Sequence, residues 1–277
     1  VWLIIFCYVP MYGILIAFKD YRGDLGVFWS EWVGFKYFRM FFESNIFKTV
    51  MVNTLRVSIF SLLIGFPVPI LFALLVNRLN SQRFKRTVQM VTYMPNFISV
   101  VVIVSMLNIF FAPNGMANVI AKMFGAQSTI TYTQPDHFLS ILIGSNIWQS
   151  MGFGAIVYVA ALSSVSPELY EAARIDGCNM VQTFFLIVFP LLKTILITVA
   201  ILNAMWLWND FLLPQLVINK PGWQTLPLKT FLFFGQFSKR WDLATAGLLM
   251  CMAPIVLFYL FCQKYIIKGV TEGAVKG

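Results

Sequence analysis

Residues 166–180 read SPELYEAARIDGCNM, which puts Glu168, Glu171, Arg174 and Asp176 into one short segment between two of the most apolar stretches of the chain. Ser166 followed by Pro167 predicts a helix start, because a hydroxyl caps free N–H groups and proline fits the first helical position. Glu168 complements the helix dipole in the first turn. Gly177 supplies the stop, since glycine accepts the left-handed backbone of a C-terminal cap. The spacing thus predicts a short helix over 167–176, unstable alone in water. Leu169, Ala172, Ala173 and Asp176 fall three and four residues apart and so share one side. Two alanines keep that side shallow enough for another protein to approach closely, with Glu171 and Arg174 as charged flanks. A second helix is expected from about Asn179, entering the next apolar stretch by way of Pro190. A helix, a glycine turn and a second helix make a docking element; the plainer alternative is a polar connection between spans.

The flanking stretches decide the class. Hydrophobic residues make up 59% of the 277 residues and charged residues 11%, well outside the range of soluble domains. A bilayer core about 30 Å thick needs roughly 20 apolar residues of helix. Val1 to Phe18, Val57 to Val76, Val88 to Phe111, Phe138 to Leu162 and Leu243 to Cys262 hold no Asp, Glu, Lys or Arg, and a sixth run, Phe184 to Trp208, is broken only by Lys193. These lengths suit helices and not the roughly ten-residue alternating strands of a membrane barrel. The expectation is an all-α polytopic membrane protein with six transmembrane helices forming one domain over 1–277. The chain opens on Val1, inside an apolar run and without Met, which predicts a natural N-terminus upstream. No basic region precedes that run and no small-residue cleavage site follows it, so a signal peptide is not expected.

Charge sets the orientation. Arg78, Arg83, Lys85 and Arg86 cluster without an acid after the second run, which the positive-inside rule reads as cytoplasmic. Alternation then places both termini and the 163–183 loop in the cytoplasm. The net charge of +9 is scattered over loops and makes no nucleic-acid face. Cys7, Cys178, Cys251 and Cys262 form no C-x-x-C pair and read as small apolar fillers. His137 is the only histidine, which removes a histidine metal cluster, and no G-x-x-x-x-G-K-[ST] loop is present to cradle ATP phosphates.

Glu171-Ala172-Ala173, then Asp176-Gly177, then Ile187 and Pro190 closely resemble the EAA motif of the membrane subunits of binding-protein-dependent ABC importers. WNDFLLP at 208–214, TLPL at 225–228 and GVTEGAVKG at 269–277 resemble the carbohydrate-uptake branch, the relatives of the maltose transporter's membrane subunits. YVPMYGILIAFKDY, near the start, resembles a subgroup linked to complex oligosaccharides. Phe189 stands where leucine is common and Cys178 where alanine is common.

The resemblance implies a type I ABC importer permease fold with an EAA coupling loop at 163–190 and a cytoplasmic tail at 264–277. The chain would be a non-catalytic subunit in a bacterial inner membrane, passing an oligosaccharide received from a periplasmic or extracellular solute-binding protein. Its implied partners are a second homologous membrane subunit and two ATPase subunits that bind ATP and Mg, with no cofactor on this chain and no nucleic acid. Leu169, Glu171, Ala172, Ala173, Arg174, Asp176 and Gly177 would meet the ATPase, with Glu171 and Asp176 as polar anchors. A permease for an amino acid or a polyamine, or a secondary transporter, remains an alternative.

Candidate solute-path residues follow from chemistry. Trp206, Trp208, Asn209 and Asp210 combine flat aromatic faces with amide and carboxylate groups, which suits sugars; an interfacial aromatic belt with a helix-end acid is the other reading. Asn146 and Gln149 share a helix face near Gly152 and Gly154, as helix glue or as a cavity lining. A uronate oligosaccharide stays open through Lys220, Lys229, Lys239 and Arg240 in loops assigned outside.

Overall fold

The computed structural model describes residues 1–125, 135–218, 221–233 and 240–275. Lys220, Lys239 and the end of the tail at Lys276-Gly277 lie outside them. A π-helical turn at Ile4–Tyr8 and a 3-10 segment at Val9–Phe18 lead into β1 (Lys19–Asp20), α1 (Gly26–Trp29), β2 (Glu31–Trp32), α2 (Lys36–Phe42), α3 (Asn45–Gly65) and α4 (Pro67–Asn77). Next come α5 (Gln82–Tyr93), a 3-10 turn at Met94–Phe97, α6 (Val100–Phe110), α7 (Met116–Met123), α8 (Pro135–Ser163) and α9 (Pro167–Ile175). The last elements are α10 (Met180–Thr183), a π segment at Phe184–Val188, α11 (Phe189–Asn209), α12 (Leu212–Val217), a 3-10 turn at Pro221–Trp223, α13 (Leu226–Leu232) and α14 (Trp241–Val275). The structure is mostly helical; β1 and β2 form only a small antiparallel ribbon, with Lys19 opposite Trp32 and Asp20 opposite Glu31.

Among the described residues, three stretches are long and apolar enough to cross a bilayer: Asn45–Asn77, Val181–Asn209 and Trp241–Ile267. Two bent pairs raise the number to five if each is one span: Gln82–Phe97 with Val100–Phe110, turned through 98°, and His137–Ser163 with Pro167–Ile175, turned through 73°. The first apolar run forms only the shorter helix Ile4–Phe18.

The sharp turn inside Val88 to Phe111 was not expected from an uncharged run. Ile98 and Ser99 leave the helical region with ψ of 130° and 146°, and the Ser99 hydroxyl then accepts the Val102 N–H at 3.4 Å to start α6. The other departure precedes Pro190, whose ring cannot donate to a carbonyl one turn back. The helix widens there, and the Phe189 N–H reaches back five residues to the Phe184 carbonyl.

One compact unit comprises Val1–Val57 and Trp208–Phe261. Phe41, Val50, Leu226, Met250 and Cys251 form one cluster in it, and Ala17, Tyr37 and Ala246 another. The buried face of α3 is polar at Asn53 and Thr54. Asn53 Nδ2 donates to the Gly222 and Gln224 carbonyls at 2.8 and 3.2 Å, and Thr54 Oγ1 accepts the Leu226 N–H at 2.7 Å. These bonds hold the TLPL segment, whose backbone groups would otherwise be buried unpaired. At the start of α14 Asp242 takes a two-pronged ion pair from Arg240, at 3.1 Å from Nε and 3.0 Å from the second guanidinium nitrogen.

The other unit comprises Ser58–Leu207 and Cys262–Gly277. Ala73, Ala155, Tyr158, Ala161, Leu162, Val188, Leu192 and Leu196 form its core, packed chiefly between α4, α8 and α11. Alanines at the centre let helix backbones approach closely, the usual device where lipid supplies no hydrophobic drive between helices. Gly152 is closer still: a Cβ there would collide with the Thr92 backbone carbonyl of α5.

Candidate functional site

The charged segment folds as a short helix closed by a side chain at its start and by the backbone of a glycine turn at its end. Ser166 Oγ accepts the Glu168 N–H at 3.3 Å, Pro167 occupies the first helical position, and Arg174 stands in the last turn opposite Glu168 in the first. The helix ends at Ile175 with Asp176 as its cap, and Gly177 adopts φ of +77°. The Cys178 N–H then reaches back to the Ala173 carbonyl at 2.9 Å, closing a Schellman-type end. Asn179 and Gln182 cap α10 reciprocally: the Asn179 N–H donates to Gln182 Oε1 at 2.8 Å, and the Gln182 N–H to Asn179 Oδ1 at 2.9 Å. Helix, left-handed glycine and capped helix therefore follow within one stretch of chain.

The exposed side of α9 differs from the sequence expectation at one position. Glu171, Ala172, Arg174, Asp176 and Gly177 are exposed and Leu169 is 40% exposed, but Ala173 is 2% exposed. Ala173 is thus removed from the docking face. Tyr170, which packs against the alanine-rich core of its unit, lies on the same side of the helix, and together they seat α9 on the chain. The outward face gains Ile175, at 86% exposure. It lies three residues beyond Ala172, so helical spacing was enough to find it once the inward side was known.

The two amides of α8 belong to the unit of Ser58–Leu207. Gln149 Nε2 donates to the Ile98 carbonyl at 3.1 Å, just where the α5–α6 backbone breaks. It works there as glue, satisfying a carbonyl that the bend removes from helical bonding. Asn146 is half-buried and accepts the Ser150 hydroxyl at 3.4 Å through Oδ1 and at 2.7 Å through its backbone carbonyl. Gly152 brings α5 against α8 one turn further on.

The aromatic and acidic candidates divide as well. Trp206 is 83% exposed on α11. Trp208 is half-buried, its Nε1 donating to the Cys251 carbonyl at 3.0 Å, and it packs against the Phe41–Leu226 cluster. That makes Trp208 a clamp within its unit. Asn209 ends α11 and is exposed. Asp210 is half-buried and accepts the backbone N–H groups of Leu213 and Leu212, which caps α12. Burial pushes its pKa above the ordinary carboxylate value, and those two bonds offset part of the rise. Among the described residues no three His, Cys, Asp or Glu side chains are grouped to hold a metal ion.

The model of the family described as "Binding-protein-dependent transport system inner membrane component" matches residues 47–272. The polygalacturonan/rhamnogalacturonan transport system permease protein YteP of Bacillus subtilis (strain 168) is 37% identical over 204 residues, 73% of this chain and 64% of that protein. Protein LplB of the same strain is 37% identical over 201 residues, 72% of this chain and 63% of its own length. The matched segment thus spans slightly less than two thirds of these curated relatives. Among solved structures, a chain of a bacterial alginate ABC transporter, in complex with alginate pentasaccharide-bound periplasmic protein, superposes with a TM-score of 0.84 at 32% identity, covering 94% of this chain and 88% of that one.

Proposed function

The chain belongs to the family of binding-protein-dependent transport system inner membrane components, and on that premise we propose that it is the multi-pass permease subunit of an ATP-driven importer of oligosaccharides. The single observation that carries the coupling half of this reading is α9 with its glycine turn, an exposed, doubly capped docking element at the EAA motif. Glu171 and Asp176 would anchor the ATPase, Ala172 and Gly177 would permit close approach, and Leu169 and Arg174 would flank the contact. Closure of the ATPases on ATP would move α9 and, through the capped turn, the spans that follow.

The reading takes the chain as one transmembrane domain of six helices in the type I importer arrangement, with both termini in the cytoplasm of a bacterial inner membrane. ATP and Mg belong to two partner ATPase subunits and the reaction needs no cofactor on this chain. A second homologous membrane subunit completes the path, and a solute-binding protein delivers the sugar outside. Trp206, Asn209, Asn146, Gln149, Trp208 and Asp210 are the path candidates, of which Gln149, Trp208 and Asp210 also hold backbone partners in this chain.

Two of the proteins compared above are named for uronate polymers, polygalacturonan and alginate. Those names favour an acidic oligosaccharide as cargo over a neutral one. The test is ATP hydrolysis by the reconstituted complex of permease, ATPase and solute-binding protein, offered oligouronates and neutral oligosaccharides. Stimulation by a sugar, lost in Glu171→Ala together with ATPase association, supports the reading; hydrolysis indifferent to every solute refutes it.

A further inference from the structure

Arg56 has no ion-pair partner among the described residues and lies on a stretch long and apolar enough to cross a membrane. It lies on α3, inside the stretch Asn45–Asn77, directly before the uncharged run Val57 to Val76. That run has about the length of the hydrocarbon core at about 1.5 Å per residue. Since the basic cluster Arg78, Arg83, Lys85 and Arg86 follows its far end, Arg56 sits at the opposite rim, where the positive-inside rule predicts no excess of basic residues. The buried side of α3 is occupied by Asn53 and Thr54, which hold the TLPL segment. Arg56 points away from them and is exposed, on the same side as Leu55, Ile59 and Phe60. No hydrogen bond or ion pair engages it among the described residues, in contrast to Arg240, whose guanidinium is taken up by Asp242.

A guanidinium at a membrane rim rises to lipid phosphates or serves a path, and an ionisable residue on a span is by default a functional candidate. Arginine offers a planar fork of donors that fits a carboxylate, and its charge persists at every physiological pH. We infer that Arg56 is a specificity-determining residue at the outer end of the solute path, where its guanidinium receives the carboxylates of an acidic oligosaccharide. The inference rests on the permease reading given above and names the chemistry that distinguishes its cargo. It moves the selection of anionic sugars from Lys229 on α13 and Arg240 before α14 to a single residue on a span. Lipid phosphates and an acid on the partner membrane subunit are the competing ligands for the same guanidinium.

The experiment uses the complete transporter in proteoliposomes, with solute-loaded binding protein at saturation so that its own affinity drops out of the rate. Uptake of an oligogalacturonate is compared with uptake of its methyl ester, which keeps the ring hydroxyls and removes the charge. For wild type the acid is expected to be carried faster than the ester. Arg56→Gln is expected to lower the acid rate about tenfold, the equivalent of about 1.4 kcal/mol, with the ester rate unchanged, and Arg56→Lys to retain part of the preference. Equal losses for acid and ester, with unchanged assembly, overturn the inference and assign Arg56 to the partner subunit or to lipid. An acid-to-ester ratio unaltered in Arg56→Gln overturns it as well. If wild type takes up neither sugar, the permease reading itself fails, a result distinct from the loss of selectivity in the variant.

Discussion

Ala172 and Ala173 are neighbours of the same chemistry, and the structure gives them opposite surroundings: Ala172 is exposed and Ala173 is 2% exposed. Leucine at each position separates docking from folding. At Ala173 three added carbons have to enter the seat between α9 and its own unit, where overpacking costs about 1–3 kcal/mol. In a chain of this size each kcal/mol moves the thermal midpoint by roughly 2–4 °C. Ala173→Leu is therefore expected to melt several degrees lower in detergent, before any partner is added. At Ala172 the same carbons project outward and leave the isolated chain's midpoint unchanged within about a degree, while they obstruct the groove of an ATPase that closes on α9. If the interface tolerates them as poorly as a packed core does, the loss of about 1–3 kcal/mol weakens association by roughly 5- to 150-fold. The assay pairs differential scanning fluorimetry of the isolated permease with titration of the ATPase subunit onto permease held in nanodiscs. A lowered midpoint for Ala172→Leu, or an unchanged one for Ala173→Leu, refutes the division of the helix into an inward and an outward face.

Gly152→Ala places a Cβ against the Thr92 backbone, which cannot rotate away, so α5 and α8 must separate; a destabilisation of about 1–3 kcal/mol is expected in the same melting assay. Gln149→Leu leaves the Ile98 carbonyl unpaired at the 98° bend and is expected to cost about 1–3 kcal/mol, with Gln149→Glu failing to restore stability at neutral pH because a carboxylate cannot donate. Asp210 has a pKa raised by burial, so the folded chain binds its proton more tightly than the unfolded chain does. Relative to Asp210→Asn, wild type is expected to gain stability as pH falls through the raised value to the ordinary carboxylate range near 4, and to lose that gain again as pH rises; parallel pH profiles of the two midpoints contradict the burial.

Local chemistry made α9 readable before any coordinates. Ser166-Pro167 and Gly177 fix where a helix starts and stops through groups within a few residues, and the structure differs by one residue at the C-terminal end. The inward turn of Ala173 was not readable, because spacing groups residues on a side without saying which side meets the rest of the protein. The bend at Ile98 and Ser99 was hidden for a related reason: both residues suit a continuous apolar helix, and the break is held from outside by Gln149 and by the close approach at Gly152. For Trp208 and Asp210 the sequence could not show their backbone partners, because the same aromatic and acidic chemistry suits a sugar, a neighbouring carbonyl or a helix end equally well. Arg56 reads in the sequence only as the residue just before an uncharged run; the structure adds that it is exposed there with no ion-pair partner among the described residues.

The coupling of transport to a separate ATPase is tested most directly by uptake of a labelled oligouronate into proteoliposomes that hold the permease, its partner membrane subunit and the ATPase, with binding protein outside and ATP inside. Uptake that requires internal ATP, stops in Glu171→Ala and ignores collapse of ion gradients is the expected result. Uptake that continues without the ATPase subunit and follows a proton or sodium gradient would contradict the account and make the chain a carrier powered by ions.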